Sequence, residues 1–279
     1  MRRGAKPPGQ PVACRRAVRT KRARRDVSIR FGKQGNYLMK KIAVLLTALV
    51  VIYLAADYHV QRMHQLGAKL VQDAYRGDLL AVKEDLEQGA PPEYELYLQD
   101  LSRGYGGVQF TVLQAAASSG NEDLINFLLN EGFYIDYPTP QGWTPLFIAV
   151  RDGQAEAAKL LIYRNAELNA QTDRGATALM MALTQKFPSE KAREDLLLYL
   201  LKRGANPNLQ DTSGHTALYY AAVLQNEKAA ALLYEYGAAP DEEEKAQIRK
   251  LLSGKKDAAA KKILRLLKRH PQPVSAKKE

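Results

Sequence analysis

The side chains best suited to chemistry are few in this sequence, and their spacing does not assemble them. Histidines stand at 59, 64, 215 and 270, scattered and without metal-ligand spacing. Cys14 is the single cysteine. That excludes an intramolecular disulfide framework and a zinc knuckle built on cysteines. No Gly-x-Gly-x-x-Gly, no Gly-x-x-x-x-Gly-Lys-Ser/Thr and no Gly-x-Ser-x-Gly run occurs. Ser118-Ser119-Gly120 reads as a turn between helices, not as a nucleophile. Glu122 and Asp123 read as acids that complement the positive end of a helix dipole. The chain is therefore expected not to be an enzyme and to take no cofactor, metal or small-molecule substrate.

What remains is recognition chemistry. Trp143 is the single tryptophan, and tryptophan and arginine are the residues most enriched at interface hot spots. Residues 91–107 carry Tyr94, Tyr97 and Tyr105 among Glu93, Glu95 and Asp100. They suit a recognition loop on a rigid scaffold. The alternative is a small helix that partly buries Tyr94, Leu96, Tyr97 and Leu101. A third candidate is the basic run Lys255, Lys256, Lys261, Lys262, Arg265, Lys268 and Arg269. It suits acidic lipid headgroups, an acidic protein, or simply the solvated face of a helix.

The formal charge of +11 is distributed unevenly. Residues 1–41 carry +13 and residues 245–279 carry +10, so the body between them is acidic at −12. A basic arm for nucleic acid is one reading of the N-terminus, with a cytosolic nucleic-acid-binding protein as the corresponding function. The composition of 1–38 predicts disorder. Read from Met39, however, the chain opens Met-Lys-Lys and continues into fifteen uncharged, mostly apolar residues, 42–56. That is the pattern of a bacterial export signal, and it makes Met39 an alternative start to Met1. A fifteen-residue helix rises about 22 Å, short of a hydrocarbon core of about 30 Å. Lys40 and Lys41 can extend the span by snorkelling. A retained signal-anchor is expected over a cleaved signal, because Leu54 is bulky at the −3 position. The positive flank then stays in the cytoplasm, and everything after Asp57 faces outward, into the periplasm. Residues 58–66 read as a linker.

The elements that position these residues recur. Thr111, Thr144, Thr177 and Thr216 each open a Thr-x-Leu block closed by an alanine at the sixth position: Ala116, Ala149, Ala182 and Ala221. Their separations are 33, 33 and 39 residues, the last containing an insertion near 185–193. Leu128, Leu161, Leu200 and Leu233 repeat downstream. So do Gly132, Asn165, Gly204 and Gly237, and then Asp136, Asn169, Asn208 and Asp241. A threonine can cap a first helix. The leucine stretches form the apolar stripe of a second helix. A Gly or Asn in the left-handed conformation ends it, and the Asp/Asn and Gly142, Gly175 and Gly214 build the turn onward.

This pattern resembles the ankyrin repeat over roughly residues 67–241. The resemblance implies an all-α solenoid of about five helix-turn-helix repeats with short hairpin-like connecting loops. A degenerate first unit contains Gly77 and Gly89, and helices over 242–270 cap the far end, before a disordered tail at 271–279. It also implies a concave face, lined by finger loops and first helices, that binds another protein. Mapped by repeat position, that face includes Trp143, Arg174 and His215 on the fingers and Arg151 and Asp152 at a helix end, with Tyr94 and Tyr105 on the insertion. Trp143 either anchors a partner or stiffens its own finger. The family's helix-1 histidine is Gln114, Phe147, Met180 or Tyr219 here, a departure expected to remove bonds between repeats. Location alone adds a chaperone-like or inhibitory role toward an exported enzyme or toxin as an alternative.

Overall fold

The computed structural model describes residues 13–100, 105–255 and 257–268. The chain divides into two units, Met1–Arg62 and Met63–Glu279. Helix α1 (Ala13–Arg76) starts in the first unit and ends in the second. The composition of 1–38 predicts disorder, yet from Ala13 the chain is helical. Its prolines, Pro7, Pro8 and Pro11, all precede Ala13, and the Arg, Lys and Ala that follow are good helix formers. The stretch 58–66 is helical as well, not a linker, because it contains neither Pro nor Gly. The disorder expected at 1–12 and at 271–279 lies outside the described residues.

In the first unit the apolar side chains from Ile42 to Leu54 are exposed. Met39–Arg76 is the one helical stretch among the described residues that is long and apolar enough to cross a membrane, by length and composition. Thr47 satisfies its hydroxyl inside the helix, donating to the Val44 carbonyl at 2.8 Å.

The second unit is a stack of helix pairs. The end of α1 pairs with α2 (Leu79–Glu87). The next pairs are α3 (Val112–Ser119) with α4 (Glu122–Asn130), α5 (Pro145–Arg151) with α6 (Ala155–Tyr163), α7 (Ala178–Thr184) with α8 (Glu190–Lys202), and α9 (Ala217–Val223) with α10 (Glu227–Glu235). Helices α11 (Glu242–Leu252) and α12 (Ala258–Leu266) add a final pair. First helices touch in the order α3, α5, α7, α9, α11, and second helices in the order α4, α6, α8, α10, α12. The result is two layers with a continuous core between them. Leu113, Ile148, Leu179 and Leu218 come from the first layer, and Leu128, Leu161, Leu200 and Leu233 from the second. Each such leucine or isoleucine contributes about 1.5–3 kcal/mol on burial. Small Ala116, Ala149, Ala182 and Ala221 are buried at the helix contacts and let the layers approach.

The repeated polar residues fix the ends of these helices. Thr111, Thr144 and Thr177 accept from the backbone N–H groups of Gln114, Phe147 and Met180 at 3.4, 3.2 and 3.3 Å. Asp136, Asn169 and Asn208 reach across to the following unit. They accept from the N–H groups of Glu167, Asn206 and Ala239 at 2.9, 2.8 and 2.7 Å. These bonds set the spacing of one unit on the next.

Between the first two pairs the chain forms an antiparallel hairpin, β1 (Leu96–Asp100) and β2 (Tyr105–Phe110). Leu96 faces Phe110, Tyr97 faces Gln109 and Leu98 faces Val108, with an irregularity after Leu98. This replaces the small helix considered for 91–107. Gly106 and Gly107 weaken a helix there, and the alternation of aromatic and aliphatic residues suits a half-buried strand. Val108 and Phe110 are buried. Leu101 lies outside the described residues.

Candidate functional site

Three finger loops stand side by side between the helix pairs. In each, a backbone N–H donates to a carbonyl four residues on, at 3.0 Å: Thr139 to Trp143, Thr172 to Ala176 and Asp211 to His215. The side chain of the first residue tightens the same loop. Thr139 Oγ1 accepts from Gln141 and Trp143 at 3.2 and 3.1 Å. Thr172 Oγ1 accepts from Arg174 and Ala176 at 3.3 and 3.1 Å. In the third finger Asp211 takes the place of threonine, and its Oδ1 accepts from Ser213 and His215 at 2.8 and 3.0 Å. The fingers are bonded to one another by Asp173 N–H to the Gln141 carbonyl and Thr212 N–H to the Arg174 carbonyl, both at 3.0 Å. The exposed Arg174 side chain therefore rises from a backbone fixed on both sides.

Trp143, Arg151 and Asp152 are brought together at the base of the first finger. The Trp143 ring stacks on Phe147, with centroids 5.9 Å apart and planes 29° apart. The Arg151 guanidinium lies 4.7 Å from the centre of the indole, a favourable cation–aromatic contact. Arg151 Nη1 is 3.7 Å from Asp152 Oδ1. Asp152 in turn accepts a short bond from the Ser118 hydroxyl of the preceding unit, and Gln154 Nε2 donates to the Ser118 carbonyl at 3.1 Å. The two readings of Trp143 are thus compatible: it stiffens its finger through Phe147 and remains partly exposed. Phe147 and Gln154 belong to this cluster and are not among the expected site residues. The signal for Gln154 was its place two residues after Asp152, opposite Ser118 one repeat earlier.

His215 sits in the third finger, apart from that cluster in sequence. Its ring stacks on Tyr219 at 3.7 Å and 7° and meets Tyr220 edge-on at 6.2 Å. The Tyr220 hydroxyl donates a short bond to Asp211 Oδ2. Burial pushes the Asp211 carboxyl up. The Tyr220 hydroxyl and the backbone N–H groups of His215 and Ser213 outweigh that and hold it below the usual carboxylate range. Burial and the Asp211 charge together push Tyr220 up to about 12.

Tyr94 belongs elsewhere. It is half-buried, its hydroxyl 3.3 Å from His64 Nδ1 and its ring edge-on to that imidazole at 5.7 Å. A side chain on Gly67 would collide with the Tyr94 ring, so Gly67 makes room for it. Tyr94 is thus packed against α1 and is not an aromatic held free on a loop, because the apolar surface of α1 offers it burial. Tyr105 opens β2 opposite Asp100. Its side chain, like that of Tyr97, lies outside the described residues. Among the described residues no cluster of His, Cys, Asp and Glu is placed to hold a metal ion.

Residues 70–172 and 164–244 each match the family model described as ankyrin repeats (3 copies). The chain belongs to the ankyrin repeat family. It is 34% identical over 145 residues to an ankyrin repeat-containing protein of Treponema pallidum, a match that covers 52% of this chain and 47% of that one. It is 33% identical over 122 residues to an ankyrin repeat, SAM and basic leucine zipper domain-containing protein of Ornithorhynchus anatinus, covering 44% of this chain and 25% of the relative. An ankyrin repeat protein of Acanthamoeba polyphaga mimivirus is 39% identical over 79 residues, 28% of this chain and 18% of its own length. The chain thus spans about half the length of the first of these relatives and less of the others. Ankyrin repeats are protein–protein interaction modules, and the finger and first-helix surface described above presents Trp143, Arg151 and Arg174 on a backbone fixed by bonds between the fingers. One expected consequence of the family departures needs correction. Gln114 keeps a bond between repeats, its Nε2 donating to the Tyr137 carbonyl at 2.6 Å while its Oε1 accepts from Thr111 N–H at 2.8 Å. An amide carries donor and acceptor at once. At the equivalent positions Phe147 and Tyr219 contribute ring stacking instead.

Proposed function

We propose that this chain is a membrane-tethered ankyrin scaffold that binds another protein through its fingers and first helices on the outer side of the cytoplasmic membrane. The observation that carries the binding surface is the cluster of Trp143, Arg151, Asp152 and Ser118, which joins two adjacent repeats into a partly exposed aromatic and polar platform. A platform ordered before contact loses little side-chain entropy on binding, so more of the contact energy appears as affinity. The export reading is supported by Lys40 and Lys41 ahead of the exposed apolar side chains of α1, since a positive flank is retained on the cytoplasmic side.

The test is affinity purification of the full chain from the membrane fraction of its own host, beside the double variant Trp143→Ala/Arg151→Ala. A stoichiometric partner should co-purify with the parent, and the variant should bind it at least about thirtyfold more weakly, the scale of a lost hot spot. Equal recovery by both proteins, or no stoichiometric partner at all, would overturn this reading.

A further inference from the structure

The final helix carries a second surface of a different kind. Helix α12 buries Ala260 and Ile263, and Leu267 just beyond it, against the stack. At 100° per residue these fall on one side. Lys261, Lys262, Arg265 and Lys268 fall within about a third of a turn on the other side, and all four are exposed. Lys262 is held by Glu227 at 2.7 Å. Lys261, Arg265 and Lys268 have no acidic partner among the described residues, and the helix Ala258–Leu266 contains no acid. Like charges this close raise one another's energy, and an external polyanion relieves it.

The character of the stripe narrows the polyanion. Three of its four cations are lysines, compact charges on flexible stems, which suit a fluid array of phosphates better than a fixed bidentate acceptor. No aromatic residue lies between Ala258 and Lys268 on which a nucleic-acid base could stack. The same chain carries the apolar stretch of α1, and a tether raises the effective concentration of any nearby membrane surface. We infer that the exposed face of α12 docks on anionic lipid headgroups of the membrane to which the chain is tethered. The choice of lipid rests on the tether in the functional reading above; the cationic face itself does not.

The experiment uses the full chain with Cys14→Ser and Ala258→Cys, a fluorophore on the new cysteine, and phosphatidylcholine vesicles with or without phosphatidylglycerol, carrying an acceptor on the headgroups. Energy transfer should appear with phosphatidylglycerol only and be lost at about 1 M salt, where the screening length falls to about 3 Å. The triple variant Lys261→Ala/Arg265→Ala/Lys268→Ala should lower the docked-to-undocked ratio by roughly fivefold per cation, about a hundredfold in all. Its thermal unfolding should match the parent, since none of the three side chains is buried. Equal transfer in both vesicles, or transfer unchanged in the variant, would overturn the inference. So would the absence of transfer, and a duplex oligonucleotide shifting the probe where lipid does not would replace lipid by nucleic acid. Vesicle flotation keeps the two readings apart. A chain that floats with neutral vesicles but shows no transfer with anionic ones loses only the docking. One that floats with neither loses the tether as well.

Discussion

Alanine at Gly175 is expected to destabilise the ankyrin stack far more than alanine at Gly214. Both glycines sit at the same place in successive fingers, and both have left-handed backbone, at φ +71° and +78°. An L-residue there costs about 1–2 kcal/mol at either site. The surroundings differ. A side-chain carbon on Gly175 would lie 2.8 Å from the Asp211 Cα and 3.0 Å from the Thr212 nitrogen, whereas nothing lies within 4 Å at Gly214. Backbone cannot rotate away as a side chain can, so the close approach adds the cost of an overpacked contact, about 1–3 kcal/mol. Gly175→Ala should therefore lose about 2–5 kcal/mol in urea unfolding followed by circular dichroism, and Gly214→Ala about 1–2. The displaced third finger should also carry His215 with it. Equal losses at the two sites would show that the fingers are not packed backbone to backbone.

The second large effect concerns the joint between the last two helix pairs. Glu244 on α11 is buried, and its Oε1 accepts from both the N–H and the hydroxyl of Thr216, at 3.1 and 2.6 Å. Its Oε2 is buried without a hydrogen-bond partner, as is the hydroxyl of Tyr234. Burial pushes the Glu244 carboxyl up; the Thr216 bonds pull it down, Asp241 adds to the rise, and the net direction is upward. The folded chain thus prefers the protonated acid more strongly than the unfolded chain does. Stability from this group is complete below the ordinary glutamate value and is lost as pH rises through the higher folded value. Glu244→Gln keeps the acceptor for Thr216 and removes the buried charge. At pH 4 parent and variant should unfold nearly together. By pH 8 the variant should be the more stable, by about 1–3 kcal/mol, the scale of an uncompensated buried polar group. A variant less stable at pH 8 than the parent would show that the charged carboxylate is the form this joint is built around.

The repeat itself was legible residue by residue. Thr111, Thr144 and Thr177 cap the helices they open, and the leucines that follow them, Leu128 and Leu161 at seventeen residues and Leu200 beyond the insertion, fill the core, because both roles depend on local chemistry and a helical period. Asn165, standing where the other units have glycine, adopts the left-handed backbone expected of it at φ +66°. The turn residues Asp136, Asn169 and Asn208 do more than turn the chain: they accept from backbone in the next unit. The hairpin over 96–110 was not legible, since a strand of five residues is stabilised by its partner more than by its own propensity. Nor could spacing alone reveal that Ser118 meets Asp152, or Thr216 meets Glu244. Those pairs join different repeats and exist only through the rotation of one unit on the next. Tyr94 misleads for the same reason. Its burial depends on Gly67, twenty-seven residues away.

Site-directed photocrosslinking tests the central claim most directly. A photoreactive residue would replace Arg174, exposed on the middle finger, or Tyr163, exposed at the end of α6 in the second-helix layer. Irradiated in the native host, the Arg174 position should yield a discrete protein adduct that disappears when Trp143→Ala and Arg151→Ala are added, and the Tyr163 position should yield none. Adducts from Tyr163 instead, or adducts at Arg174 that persist in the double variant, would contradict the assignment of the finger face as the binding surface.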